Sequence, residues 1–295
     1  MTALVFIDTN IFLDFYEVDS GDATLPLLKY INKNHSKIIT TSEVEMEFKK
    51  NRQRVILESL SYIKLKKAEL ISIPAFLRES TLDRNIKKTQ KDLNFQSAAL
   101  VGRALSILRD PLSDRVYRTL QRLFTSRADC HLTRHKAIRR NIQTLATKRF
   151  ELGYPPRKVS DHSLIDAINW EWIIHCAQHS THDIVIVSRD RDYGEHYSGD
   201  SIINDWLLQE FGERVGRTRS ISLTTSLSKA LTQASIIVSK AEQEAEESLI
   251  KARTSWDSLI LKQFPTFDPT WPDDTKLKWF QAFDILLKQN FSKLT

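Results

Sequence analysis

Two unbroken apolar runs stand out along this chain. Ala3-Leu4-Val5-Phe6-Ile7 leads into Asp8, and Ile184-Val185-Ile186-Val187 leads into Ser188, Arg189 and Asp190. Short β-branched and aromatic runs without polar alternation predict strands buried on both faces, as in a parallel sheet. Lys37–Thr40 gives a third, shorter strand signal, and Ile221–Thr224 predicts an edge strand. Elsewhere apolar residues recur three and four apart. That spacing predicts a short helix or turn over 11–16 and helices over 24–34, from Ser42 through Phe48, from Ser160 through Ile173, and over 205–211. A single long helix is predicted from Ser226 to about Leu261. Ser42 with Glu45 reads as a capping box at a helix start. Strands alternating with helices predict an α/β fold with a parallel sheet.

Between Asn51 and Arg157 helical spacing dominates (Val55, Leu60, Leu105, Leu108, Leu120, Leu123) and no strand is predicted. This segment also changes the charge picture. From Arg103 to Lys158 there are fourteen Lys and Arg, eleven of them Arg, against four acids, a net +10. The whole chain is only +6, so the remainder is net acidic at −4. A basic segment set into an acidic body suits a polyanionic partner, and the planar fork of Arg suits phosphate. Arg134, Lys136, Arg139 and Arg140 form its densest cluster and are the candidate phosphate contacts. A set of solvated helix faces is the competing reading.

Composition removes several classes. Two cysteines, Cys130 and Cys176, make no disulfide framework and suggest a reducing, cytoplasmic setting. The apolar run at 3–7 ends at Asp8, too early for a signal peptide, and no run approaches membrane-spanning length. Seven scattered glycines form no phosphate-binding loop. His175, Cys176, His179 and His182 do not have the spacing of a structural zinc site.

The chemistry-bearing candidates are carboxylates at element ends. Asp8 closes the first strand, where open α/β sheets place ligands, although it could equally cap the next helix. Glu43 and Glu47 stand four apart on one helix face; Glu47 can point toward the same end of the sheet as Asp8, while Glu43 reads first as a solvated residue favoured by the helix dipole and competes with Glu47 as the ligand. Asp166 lies among apolar neighbours in a helix, with His162 four residues before it. Asp161 is sufficiently explained by the helix dipole. Asp190 and Asp192 follow the later strand, where turn chemistry would also place them. A cluster of carboxylates without His or Cys selects hard, oxygen-loving cations.

Taken in order, Phe6-Ile7-Asp8-Thr9-Asn10, Val44-Glu45-Met46-Glu47-Phe48 with Asn51-Arg52, Asp166-Ala167-Ile168-Asn169-Trp170 and Val187-Ser188-Arg189-Asp190-Arg191-Asp192-Tyr193 resemble the PIN domain family of metal-dependent nucleases. The likeness is to the larger branch carrying a helical insertion, and it covers about residues 1–52 and 153–220. It implies a three-layer α/β/α sandwich around a central parallel sheet with a large helical insertion; the C-terminal helical extension lies outside the likeness and is read from helical spacing. The core would span 1–220, interrupted by a basic insertion over 53–157. A C-terminal region, 221–295, would pack on the core through Trp271, Trp279, Phe280, Phe283 and Phe291. The resemblance implies Asp8, Glu47, Asp166 and Asp190 as catalytic and metal-binding residues, with Asp192 a further ligand. Mg²⁺ or Mn²⁺ would be the cofactor and two-metal hydrolysis of a phosphodiester the reaction. Asn10 would position Asp8 or water, and Ser188 would bind phosphate or a metal-bound water. The expected partner is nucleic acid, with RNA (tRNA or another structured RNA) favoured over DNA. Housekeeping, toxin and antiviral-defence settings, with a partner or inhibitor protein, stay open, and a non-catalytic nucleic-acid-binding module of the same fold, or a DNA nuclease, is the competing reading.

Overall fold

The computed structural model describes residues 2–17, 21–65, 81–156, 163–197, 199–263 and 267–291. Arg157, Lys158, Ser160, Asp161 and His162, singled out above, lie outside them. The chain divides into two compact units, 1–249 and 250–295.

The first unit is built on five parallel strands: β1 (Ala3–Ile7), β2 (Ile38–Thr41), β3 (His131–Leu132), β4 (Asp183–Val187) and β7 (Ile221–Thr224), in the order β3-β2-β1-β4-β7. The registers Phe6↔Ile39, Ile7↔Val187 and Val187↔Thr224 align their carboxyl ends on one side. β1 is buried along its whole length, as an unbroken apolar run requires. Around the sheet run α1 (Thr9–Leu13), α2 (Gly21–Thr24), α3 (Leu28–Lys33), α4 (Ser42–Leu65), α5 (Thr81–Arg109), α6 (Arg115–Phe124), α7 (Arg139–Glu151), α8 (Ile165–Gln178), α9 (Asp205–Arg214), α10 (Leu227–Gln233) and the start of α11 (Lys240–Gln263). The result is the α/β/α sandwich expected from the sequence. No helix among the described residues is long and apolar enough to cross a membrane.

Four local readings are corrected. The helix expected over 24–34 is split by a 3₁₀ turn at Leu25–Leu27, because Pro26 has no N–H for a helical ladder. The helix after β2 is capped by Thr41 and not by Ser42: Thr41 Oγ1 accepts from the Val44 amide at 3.1 Å and donates to Asn169 Oδ1 at 2.6 Å. Strand β3 lies inside the segment read as wholly helical. Two residues carry no detectable period, and the Thr40 amide, donating to Cys130 O at 3.3 Å, recruits them to the edge of β2. Finally, the long helix from Ser226 is broken. Ser235 adopts φ 57°, and the Ile236 amide closes on Leu231 O at 2.9 Å, the left-handed ending of a helix.

The later part of the basic segment contributes directly to the core. Val116, Leu120, Leu123 and Phe124 of α6, Leu132 of β3, and Ile142 and Ala146 of α7 are all buried in the cluster around β1. An antiparallel hairpin, β5 (Gly194–Tyr197) and β6 (Asp200–Ile203), follows β4. The second unit carries the end of α11 and α12 (Asp273–Phe291). Phe267, Trp271, Trp279, Phe280 and Phe283 pack ring against ring there, with centroids 5.1–6.0 Å apart.

The Thr41 cap gives a first quantitative expectation. Thr41→Val removes the acceptor for Val44 N and the donor to buried Asn169. It should cost about 1–2 kcal/mol in chemical denaturation, whereas Ser42→Ala should not produce that loss through capping.

Candidate active site

Asp8 is the first residue beyond β1, and its amide continues the sheet by donating to Val187 O at 3.0 Å. Extended backbone there (φ −72°, ψ 157°) makes Asp8 the N-cap of α1, and its Oδ1 accepts from Thr9 N at 2.7 Å. The capping role weighed for this residue is therefore observed, and it uses one oxygen. The other oxygen, Oδ2, accepts from Ser188 Oγ at 2.6 Å and from Asn10 Nδ2 at 2.9 Å. Ser188 and Asn10 are themselves joined at 3.3 Å. Only 6% of Asp8 is exposed.

Glu47 and Asp190 complete the setting. Thr9 Oγ1 donates to Glu47 Oε2 at 2.8 Å, tying α1 to the early turns of α4. The Asp190 amide donates to Ser188 Oγ at 3.1 Å. Burial, with the nearby charges of Asp190 and Glu47, pushes the Asp8 carboxyl up to about 7 against the opposing hydrogen bonds from Ser188 and Thr9. Among the described residues, no basic side chain forms an ion pair with Asp8 or Glu47.

Of the paired candidates on α4, the geometry puts Glu47 at the site. Glu43 is not the solvated residue expected from the sequence: it is buried and bound to Arg139, whose guanidinium also reaches Ser42. Asp190 acts directly on Asp8, while Asp192 and Asp166 are felt one step away, at Tyr193. Asp166, in the first turn of α8, is half-buried, as are Asp190 and Asp192.

Several roles shift. Ser188 is fully buried and is engaged by Asp8, Asn10 and the Asp190 amide. A hydroxyl so committed positions Asp8 and has no exposed face for a phosphate. Asn10 likewise grips Asp8, and its Oδ1 accepts from Arg189 N at 3.4 Å. Lys136 donates to Asp129 O and His131 O at 2.6 and 3.0 Å and lies over the Trp172 ring. Lys136 and Arg139 are therefore engaged in holding the fold, while Arg134 and Arg140 are exposed.

The sequence reading missed three participants. Thr9 links Asp8 to Glu47, but a threonine opening a helix looks like ordinary capping. Arg189 pairs with buried Asp14, a contact between residues 175 positions apart that no local pattern announces. Tyr193 is completely buried, edge-on to Phe6 with ring centroids 5.9 Å apart. Burial and the charges of Asp166, Asp8 and Asp192 push its hydroxyl well above the ordinary range, against the Asn169 amide, so it keeps its proton. Its presence in the acidic motif was visible; its burial was not.

The donor chemistry fits a hard divalent cation: oxygen atoms only, with negative charge that no described basic side chain offsets at Asp8 or Glu47. No group of three or more His, Cys, Asp or Glu among the described residues is already arranged to hold an ion.

Comparison with known proteins gives one family. A family model described as PIN domain matches residues 5–193, more than half of the chain. No curated protein and no solved structure matches.

Proposed function

Since the chain belongs to the PIN domain family, whose members are generally metal-dependent nucleases, we propose that it is a metal-dependent ribonuclease that hydrolyses RNA phosphodiesters at the carboxyl end of β1. The observation that carries this reading is Asp8: a buried carboxylate facing Glu47 and Asp190, held by Ser188 and Asn10, with no described cation to offset it. Asp8, Glu47 and Asp190 would hold Mg²⁺ or Mn²⁺, with Asp166 and Asp192, whose charges act on Tyr193 as that of Asp8 does, as further ligands. When bound, the cation supplies Lewis-acid stabilisation of the phosphate and a more acidic water.

The chain's own residues do the positioning. Ser188 and Asn10 fix the Asp8 side chain by donating to one of its oxygens. Thr9 holds Glu47 while the Asp8 carboxylate holds the Thr9 amide, so the two acidic side chains are oriented by adjacent groups. Tyr193 remains a neutral buried hydroxyl beside the carboxylates. The exposed Arg134 and Arg140 are available for phosphate contact, which supports a nucleic-acid substrate. A structured RNA such as tRNA, in a toxin or defence role, is the setting we favour.

The test is incubation of the purified protein with labelled RNA and DNA of the same sequence in Mg²⁺, Mn²⁺ or EDTA. RNA cleavage with either cation and none in EDTA is expected. Glu47→Gln should lower the rate by about 10²-fold or more, as loss of a ligand or oriented catalytic group does. Undiminished cleavage in EDTA would exclude the metal-dependent mechanism, and cleavage of DNA alone would replace the substrate.

A further inference from the structure

A second basic feature lies on the flank of the sheet. A groove of about 310 Å³ opens between α3 and α6. Its walls carry Lys29 and Lys33 from α3, and Arg115, Arg118 and Arg122 from α6. The three arginines stand three and four residues apart, so they share one helix face and span roughly 10 Å along its axis. Val116, Leu120 and Leu123 turn the opposite way into the core, which fixes that face outward.

Of the five described cations lining the groove, one is paired. Lys29 is bound to Glu242 at 2.6 Å. Lys33, Arg115, Arg118 and Arg122 are exposed and form no ion pair among the described residues. The acid nearest in sequence, Asp114, is committed to Arg52 and to capping α6. Arg122 also makes its charge felt at His35, where it adds to burial in holding the imidazole below its ordinary range. Four uncompensated cations on facing walls of a concavity repel one another, and a polyanion relieves that cost. Thr119 and Asn32, between the cations, offer neutral polar groups.

We propose that this groove binds the phosphodiester backbone of single-stranded RNA, as a track separate from the Asp8 site. The proposal rests on the nucleic-acid reading above. The length of the arginine row favours consecutive phosphates over a single small anion, and Arg forks engage phosphate oxygens without reading bases. Binding here should therefore be strong in low salt and indifferent to sequence.

The experiment measures the affinity of the full-length protein for a fluorescein-labelled single-stranded RNA in EDTA, across a salt series. The absence of divalent cation separates binding from cleavage. Arg115→Gln, Arg118→Gln and Arg122→Gln together should weaken binding at least tenfold at about 50 mM salt. They should also lower the slope of log K against log salt by about 2, at roughly 0.7 per phosphate contact on a single strand. Lys33→Glu, on the opposite wall, should weaken binding in the same sense, and melting curves should show all variants folded. Unchanged affinity and slope in both folded variants would overturn the proposal. So would a wild-type protein that binds no RNA, or a triple variant that loses binding only to vesicles of anionic phospholipid. Groove-dependent RNA binding by a wild type that cleaves nothing in Mn²⁺ would uphold the groove and remove the nuclease reading.

Discussion

Asp8→Asn is expected to abolish cleavage and, in EDTA above pH 7, to raise the melting temperature. The two effects share a cause. Burial and the charges of Asp190 and Glu47 lift the Asp8 carboxyl from 3.8 to about 7. Between those values the folded protein retains a proton that the unfolded chain has released. Stability therefore falls as pH rises through that window and stays reduced above it. The full difference is about 4 kcal/mol. Asparagine carries no such penalty, but its amide must fit against three donors, the Thr9 amide on Oδ1 and Ser188 Oγ and Asn10 Nδ2 on Oδ2. A net gain of about 1–3 kcal/mol remains, or roughly 3–8 °C for a domain of this size. The gain should shrink toward pH 4.

Metal reverses the comparison. Adding Mn²⁺ at pH 8 should stabilise the wild-type protein by mass action and the variant much less. Calorimetric scans at pH 5 and 8, with and without Mn²⁺, read all four quantities. An Asp8→Asn protein that cleaves at the wild-type rate would sink the assignment. A melting difference that does not depend on pH would remove its electrostatic basis.

Arg52→Ala is expected to be the most destabilising single change considered, at about 3–5 kcal/mol. Arg52, in α4, is 2% exposed. Its Nη2 meets Asp114 Oδ2 at 2.8 Å and Ile107 O at 3.2 Å, and its Nε meets Tyr16 Oη at 3.0 Å. The guanidinium also lies over the rings of Tyr16 and Tyr117. Removing it leaves Asp114 with its charge buried and only the Tyr16 hydroxyl and the Val116 amide as donors. Asp114→Asn keeps the α6 cap while removing that charge. The double variant Arg52→Ala/Asp114→Asn should therefore recover a good part of the loss. Urea midpoints for the two single variants and the double variant close the cycle. A double variant no more stable than Arg52→Ala would show that packing, and not the stranded charge, dominates.

Arg52 also shows where sequence reading stops. Asn51-Arg52 was legible as part of a family-like motif, yet its job is to join α4 to the α6 cap across 62 positions. The same limit explains the acidic cluster. Continuous apolar runs were enough to place β1 and β4, because strands buried on both faces leave no room for polar alternation. Putting Asp8 and Asp190 at one end of the sheet followed from parallel pairing. What the chain alone could not decide was which of Glu43 and Glu47 faces Asp8. They lie one turn apart on one face, and the choice is made by Arg139, 96 positions away, which takes Glu43.

Ser188 is a similar case. Its place after β4 was evident, but its conversion from a free hydroxyl to a buried support for Asp8 depends on Asn10 and Asp8 arriving from the other end of the domain. Strand β3 was invisible for another reason: two residues have no period, and the backbone of β2 supplies what their side chains do not specify. The sequence by itself determined the buried strands, the helices with a clear apolar stripe and the end of the sheet where the acids gather, because burial periodicity is a local property. Tertiary structure decided which charges are paired and which remain uncompensated, because electrostatic partners are set by distance in space.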